Sequence, residues 1–309
     1  MNARTAIVTG ASRGIGVYIA RELAARGLNL LLVARSEQEL LRVADELRGH
    51  GSTIAVAAVD LADRDAARRI VEAAARELGP VDVLVNNAAI ELQRRFHLLD
   101  VGEIETVLLV DLLAPVELSR LLLPQMLERG YGRIVNVSSL AGHVGFPFTE
   151  AYAAAKDGLI AFGRVLRNDY RKAGVSASAI VLGAVKDTGV GQRTLDETGL
   201  ESSTAFMVKP EKVARAVVRA IEKDKAEMVV MPGPGRLLKA LMDLFPGLGP
   251  TMNRLAGAEK LMETVADYRE AEHRAMSSGA RAVYSSSHRE GGRRMPKHRV
   301  GTPERSERR

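Results

Sequence analysis

Tyr152 and Lys156 stand four residues apart in the Ala- and Leu-rich stretch EAYAAAKDGLIAF, and Ser139 lies thirteen residues before the tyrosine. On a helix, that spacing puts the phenol and the ammonium on one face. Ser139 closes the apolar run RIVNVSS, which reads as a buried strand. The Gly- and Pro-containing connection GHVGFPF then lets the chain fold back so that the hydroxyl faces the phenol. Such a trio suits proton transfer to or from an alcohol oxygen. A free phenol titrates near ~10, and a neighbouring cation favours the phenolate. Lys156 is therefore expected to tune Tyr152 as an acid/base, while Ser139 donates to the substrate oxygen and stabilises charge there. A tyrosine and a lysine at this spacing more often mark a solvated helix face, so the assignment needs a second signal of another kind, and the trio itself contains no hydride source.

That second signal is at the start of the chain. The β-branched run Thr5–Thr9 leads into Gly10-Ala-Ser12-Arg13-Gly14-Ile15-Gly16, followed by Val17, Ile19, Ala20, Leu23 and Ala24 at helical spacing. A strand, a glycine turn and a helix in this order bring backbone N–H groups and a helix dipole to a phosphate, so a dinucleotide pyrophosphate fits here. The next unit has an apolar strand, Leu28–Ala34, with Arg35 at its end and Ser36 as the cap of a helix running to about Arg48. An arginine at this point accommodates a ribose 2′-phosphate, where an acidic residue would receive a 2′-hydroxyl. Arg35 and Arg13 thus favour NADP(H) over NAD(H).

These elements belong to a longer alternation. Strands are expected at 53–59 (ending in Asp60-Leu61), 81–85 (ending in Asn86-Asn87-Ala88-Ala89), 134–137, 176–182 and 227–231. Helices are expected at 64–78, about 98–109, 112–128, from Tyr152 to about Lys172, and 210–223. This is the pattern of an α/β fold, a Rossmann-like doubly wound parallel sheet flanked by helices, whose ligands lie at the carboxyl ends of the strands. The glycine turn, Arg35, Asp60, Asn87 and Ser139 all fall at those ends. A long Gly- and Thr-rich loop from Gly183 to Val208 is expected to act as a substrate lid.

Composition limits the rest. With 309 residues the chain can hold one large α/β domain with additions, and with no cysteine it has no disulfide, thiolate metal site or cysteine nucleophile. No metal is expected. The organisation reads as a catalytic domain at 1–232, a C-terminal helical extension at 233–276 and a disordered basic tail at 277–309. That tail carries nine Lys/Arg against three Asp/Glu, which is the whole formal excess of +6. The remainder is neutral, so the charge balance makes no case for specific nucleic-acid binding. In the extension, Leu237, Leu238, Leu241, Met242, Leu244 and Phe245 form an apolar helical face beside Arg236 and Lys239. It reads first as a cover for the cleft or a subunit surface and second as a peripheral membrane contact. The opening residues run straight into a strand, and no apolar stretch is long enough to span a bilayer, so a cytoplasmic protein is expected.

Taken jointly, Thr9-Gly10-Ala-Ser-Arg-Gly14-Ile-Gly16, Asp60-Leu61, Asn86-Asn87-Ala88, Ser138-Ser139 and Tyr152-x-x-x-Lys156 resemble the short-chain dehydrogenase/reductase family over about residues 3–232. The resemblance implies that Tyr152 exchanges a proton with the substrate oxygen, Ser139 orients that oxygen, and Lys156 binds the nicotinamide ribose. It implies cofactor contacts from Gly10, Ser12, Arg13, Gly14, Ile15, Gly16, Arg35, Asp60, Leu61 and Asn87, with Tyr152 and Lys156 also against the cofactor. Three positions depart from the family pattern. Asp111 stands where the family often has an active-site asparagine and is carried here as a fourth catalytic residue; Ala89 replaces a glycine; and Leu182-Gly183 replaces Pro-Gly. The expected substrate is a small apolar ketone or secondary alcohol, with Phe146, Phe148, Leu182, Phe206 and Met207 around it, and the expected assembly is a homodimer or homotetramer. The competing reading is an NADPH-binding sensor or scaffold without turnover, which Asp111 favours and the intact Ser139, Tyr152 and Lys156 oppose.

Overall fold

Short apolar runs alternate with amphipathic stretches, and the computed structural model, which describes residues 3–188, 207–255 and 257–277, turns each run into a strand of one sheet. The strands are β1 (Thr5–Thr9), β2 (Asn29–Ala34), β3 (Ile54–Ala58), β4 (Val83–Asn86), β5 (Gly132–Ser139), β6 (Val175–Leu182) and β7 (Glu227–Val230). They lie in the order β3-β2-β1-β4-β5-β6-β7, and every pairing is parallel. The order reverses between β1 and β4, and the carboxyl edge beside that reversal is where a doubly wound sheet opens a crevice.

Side-chain alternation along the strands feeds two core layers. Val8, Leu30 and Leu32 face helices α1 (Ile15–Ala24) and α2 (Glu37–Leu47) and the later helix α8 (Pro210–Lys223), meeting Ile19, Leu23, Leu40, Val213 and Val217. Ile7, Leu31 and Val33 face the opposite way, toward Ile70 of α3 (Ala66–Glu77) and Leu118 and Leu122 of α5 (Ala114–Glu128). Both faces of β1 and β6 are covered, so every residue of these two strands is buried.

The two helices expected around 98–128 are joined without a break. Helix α4 (Val101–Leu108) passes through a π-helical turn, Leu109–Leu113, straight into α5. Pro115 explains the widened turn. It has no N–H to give the carbonyl of Asp111 four residues earlier, and its ring crowds that carbonyl. The chain answers with a longer-range bond, from the Ala114 N–H to the Leu109 carbonyl.

Two further helices prepare the site: the short α6 (Ala141–Val144) and the long α7 (Glu150–Tyr170), which carries Tyr152 and Lys156. The α6 turn is covered by α10 (Leu248–Leu255), where Gly249 rests on Val144 and the Asn253 amide donates to the Val144 carbonyl at 2.8 Å. In α9 (Gly235–Leu244), Met242 points inward while Leu237 and Leu244 remain exposed. Lys239, beside the apolar face of this helix, is buried and pairs with Asp243 at 2.8 Å, and Arg236 donates to the Glu227 carbonyl. The cationic half of a lipid-binding face is thus engaged within the protein. The last helix, α11 (Ala258–Ser277), runs beyond Tyr268, where one compact unit (Met1–Tyr268) ends and a second (Arg269–Arg309) begins. Among the described residues no helix is long and apolar enough to cross a membrane. The tail expected at 277–309 lies, apart from Ser277, outside the described residues.

The far end of α7 is held by one carboxylate. Asp224, at the left-handed C-cap of α8 (φ 47°), accepts hydrogen bonds from Arg167 (2.7 Å), Arg171 (2.9 Å) and Ser176 (2.6 Å). Burial opposes its charge, but the hydrogen bonds from Arg167, Ser176 and Arg171 outweigh burial and hold the carboxyl well below the usual carboxylate range. A depressed folded-state pKa stabilises the fold above the unfolded-state value near ~4, and this contribution is lost as pH falls toward the depressed value. Asp224→Asn keeps a residue that tolerates the left-handed conformation, so it isolates the charge. At neutral pH it is expected to cost about 1–3 kcal/mol in denaturant unfolding, with the gap from wild type closing progressively below about pH 4.

Candidate active site

The glycine turn closes on itself. Gly10 and Gly14 have φ of 66° and 64°, which glycine adopts without strain. A Cβ on Gly16 would stand 2.1 Å from the Gly10 carbonyl oxygen, and one on Gly10 would stand 2.8 Å from Ala88 Cα. These two glycines are therefore required first by backbone packing inside the turn and against the end of β4, before any ligand is considered. Helix α1 starts at Ile15 with no capping side chain and no acidic residue in its first turn. Ser12 is nearly buried, Arg13 is exposed, and Ile15 packs on the core.

Asn87, expected to line a cofactor cleft, uses its side chain on the turn. Its amide donates to the carbonyls of Thr9 (2.9 Å) and Gly10 (3.3 Å), while its backbone N–H and that of Ala88 donate to the Thr9 hydroxyl at 3.0 and 3.1 Å. Thr9 thus joins β1 to the end of β4. Its part was not read from the sequence, although a hydroxyl at the end of a fully buried strand must find partners.

On the neighbouring strands, Arg35 ends β2 with a largely exposed side chain, 4.0 Å from the Asp60 carboxylate. Asp60 also accepts from the Ala62 N–H at 3.0 Å, forming a local turn after β3. Leu61 is a core residue, so its side chain packs against the sheet and only its backbone is available to a ligand.

At the ends of β4 and β5 the catalytic candidates come together. The Ser139 hydroxyl accepts from the Ala141 N–H at 3.1 Å, which fixes it at the strand's end. Ser138, one residue earlier and facing the opposite side, donates its hydroxyl to the Lys156 carbonyl at 2.8 Å and so ties α7 to β5. This second serine was also not assigned a part from the sequence; the alternation along a buried strand is the signal that it needs an internal partner.

Lys156 is 2% exposed and Asp111 is fully buried. The Lys156 ammonium lies 3.1 Å from Asp111 Oδ2, donates to the Val137 carbonyl at 3.4 Å, and stands 5.6 Å from the centre of the Tyr152 ring. Asp111 Oδ1 accepts from the Ile90 N–H at 2.8 Å, so the π-turn and the segment after β4 are joined through one carboxylate. Burial pushes the Asp111 carboxyl up, opposed by the Lys156 charge and by the Ile90 hydrogen bond. The phenol of Tyr152 is pushed above the ordinary tyrosine range, first by burial and then by the negative charges of Glu91 and Asp111, with a hydrogen bond from Ser139 working in the other direction. The expectation that Lys156 would lower this phenol is not met here: burial, followed by the negative charges of Glu91 and Asp111, sets the direction, and the cation itself faces the Asp111 carboxylate. Glu91 was not singled out from the sequence; its position just after the Asn-Asn-Ala stretch carried no signal.

A family model described as short chain dehydrogenase matches residues 4–198, more than half of the chain. The chain belongs to the short-chain dehydrogenase/reductase family. It is 38% identical over 249 residues to "Ketoacyl reductase HetN" of Nostoc sp., covering 81% of this chain and 85% of that protein. It is 30% identical over 264 residues to the 3-ketodihydrosphingosine reductase of Bos taurus, covering 83% and 78% of the two chains. Among solved structures, a metagenomic short-chain oxidoreductase in complex with NADP superposes with a TM-score of 0.63 at 30% identity, over 74% of this chain and 96% of that one. The protein is therefore an oxidoreductase acting on CH–OH and C=O groups with a nicotinamide cofactor.

Of the residues expected around a substrate, Phe146, Phe148 and Met207 are half-buried. Leu182 belongs to the hydrophobic core instead, because β6 is covered on both faces. Phe206 and most of the expected lid lie outside the described residues, while the lid's two ends are joined by a parallel bridge between Val185 and Val208. Phe148 has φ 59°, a conformation that a side chain larger than glycine resists, and its ring is covered by the Arg95 guanidinium.

Asn87→Asp preserves shape but replaces two donated hydrogen bonds with a charge facing two carbonyls. It is expected to cost about 1–3 kcal/mol in denaturant unfolding. An unchanged unfolding midpoint would show that Asn87 does not hold the turn.

Proposed function

We propose that the protein is an NADP(H)-dependent oxidoreductase that interconverts a ketone and a secondary alcohol on an apolar substrate, with Tyr152 as the acid/base. The observation that carries this reading is the convergence of Ser139, Tyr152 and Lys156 at the carboxyl edge of the sheet, next to the strand reversal. The names of the two relatives above, a ketoacyl reductase and a 3-ketodihydrosphingosine reductase, each specify a ketone and support reduction as the working direction. Half-buried Phe146, Phe148 and Met207 support an apolar substrate body.

The residues fit a dinucleotide. The uncapped start of α1, without acidic residues, suits a pyrophosphate, received by the turn formed from Gly10, Ser12, Gly14, Ile15 and Gly16 with Arg13 beside it. Asp60 and the backbone of Leu61 serve the adenine end, Asn87 keeps the turn in shape, and exposed Arg35 is placed to receive a 2′-phosphate. Bound NADP(H) supplies or accepts the hydride. In reduction Tyr152, protonated at neutral pH as any phenol is, gives its proton to the ketone oxygen. Ser139 donates to the same oxygen, and Lys156 serves the nicotinamide ribose.

Tyr152→Phe is expected to lower ketone-dependent NADPH oxidation at least about a hundredfold, with NADPH affinity by fluorescence titration nearly unchanged. Turnover retained in this variant would overturn the assignment. The wild type is expected to prefer NADPH to NADH, and Arg35→Ala to narrow that preference by about 1.5–3 kcal/mol, the size of a charge-assisted phosphate contact. Equal affinity for both cofactors in the wild type would refute the role given to Arg35.

A further inference from the structure

Asp111 is the buried carboxylate of the site, and its surroundings define what it does there. The carboxylate is fully buried, clamped on one oxygen by the Ile90 N–H and facing the Lys156 ammonium with the other at 3.1 Å. Apart from that ammonium, Oδ2 has no hydrogen-bonding partner among the described residues. Pro115 and the π-turn hold it there through the backbone. An asparagine would fill the same volume and could still accept from Ile90, but it could not balance the ammonium.

We propose that Asp111 is a positioning residue that neutralises Lys156 within the protein, so that Tyr152 works as a proton donor around neutrality and as a base for alcohol oxidation only in alkaline solution. The inference rests on the acid/base reading of Tyr152 given above. A lone ammonium 5.6 Å from the ring centre would stabilise a phenolate, because a charge as deeply buried as that of Lys156 is little screened by water. Paired with a carboxylate, it presents the phenol with a short dipole, whose field falls off faster than that of a charge. The other groups that face Tyr152 do not restore the lost attraction. Glu91, from the segment after β4, adds a second negative charge, and the Ser139 hydroxyl at the end of β5 contributes one hydrogen bond.

The test compares wild type and Asp111→Asn by two readouts. The first is the pH profile of kcat/KM for secondary-alcohol oxidation by the enzyme with NADP. The second is tyrosinate absorbance from about pH 7 to 11, each protein measured against the same protein carrying Tyr152→Phe, which needs no turnover. In Asp111→Asn the acid limb of the rate profile is expected to move down by one pH unit or more, a gain of at least about tenfold on the sloping limb. The tyrosinate signal is expected to appear correspondingly earlier. Superimposable curves from the two folded proteins would overturn the proposal and leave the ion pair a structural one. If no alcohol is turned over but the tyrosinate signal shifts, the electrostatic role stands and the catalytic reading fails. Should Asp111→Asn not fold, the double variant Asp111→Asn, Lys156→Met removes both charges. Its tyrosinate onset is expected within about half a unit of wild type, and a larger displacement would overturn the proposal.

Discussion

A lysine ammonium buried at the centre of the site constrains everything around it. Removing such a charge from water costs several kcal/mol unless a partner of opposite charge and further hydrogen bonds are supplied. Here the partner is Asp111, and the additional acceptor is the Val137 carbonyl. To deliver that carboxylate, the helix leading away from β4 must open into a π-turn, and the segment after β4 must come close enough for Ile90 to bind the second oxygen. To deliver the lysine, α7 must sit at one height on the sheet, which the Ser138 hydroxyl sets by holding the Lys156 carbonyl. The far end of the same helix is secured through Arg167 and Asp224.

The same residues give the site its electrostatic character. With Lys156 balanced by Asp111, Tyr152 experiences burial and the negative charge of Glu91 more than it experiences a cation. A phenol in that setting holds its proton more firmly than a free tyrosine does. Ser139, a half-buried hydroxyl fixed by a backbone N–H, adds a donor without adding charge. The dinucleotide end is built on the opposite principle. It presents backbone N–H groups, an uncapped helix start and two exposed arginines, Arg13 and Arg35, to a ligand rich in negative charge.

Much of this was legible in the order of residues along the chain. The alternation of apolar runs and helical periods predicted a parallel doubly wound sheet, and the elements lie within a few residues of where those periods placed them. Pro210–Lys223 forms a helix with the bounds expected. Tyr152, Lys156 and Ser139 could be singled out because their spacing has meaning within one helix and one strand, and the glycine turn because its pattern is local.

What the tertiary structure decided was direction. Local spacing puts Lys156 on the same face as Tyr152, but only the packing of a π-turn from forty-five residues earlier determines that its charge goes to Asp111. Asn87 and Gly16 read as groups facing a cofactor, and packing turned both inward to close the glycine turn. Leu182 read as a wall of the substrate pocket, yet the cover on both faces of β6 made it core. Sequence periodicity records which face of an element a side chain leaves from. Which group it meets depends on elements distant in the chain, and for buried charges that meeting determines the chemistry.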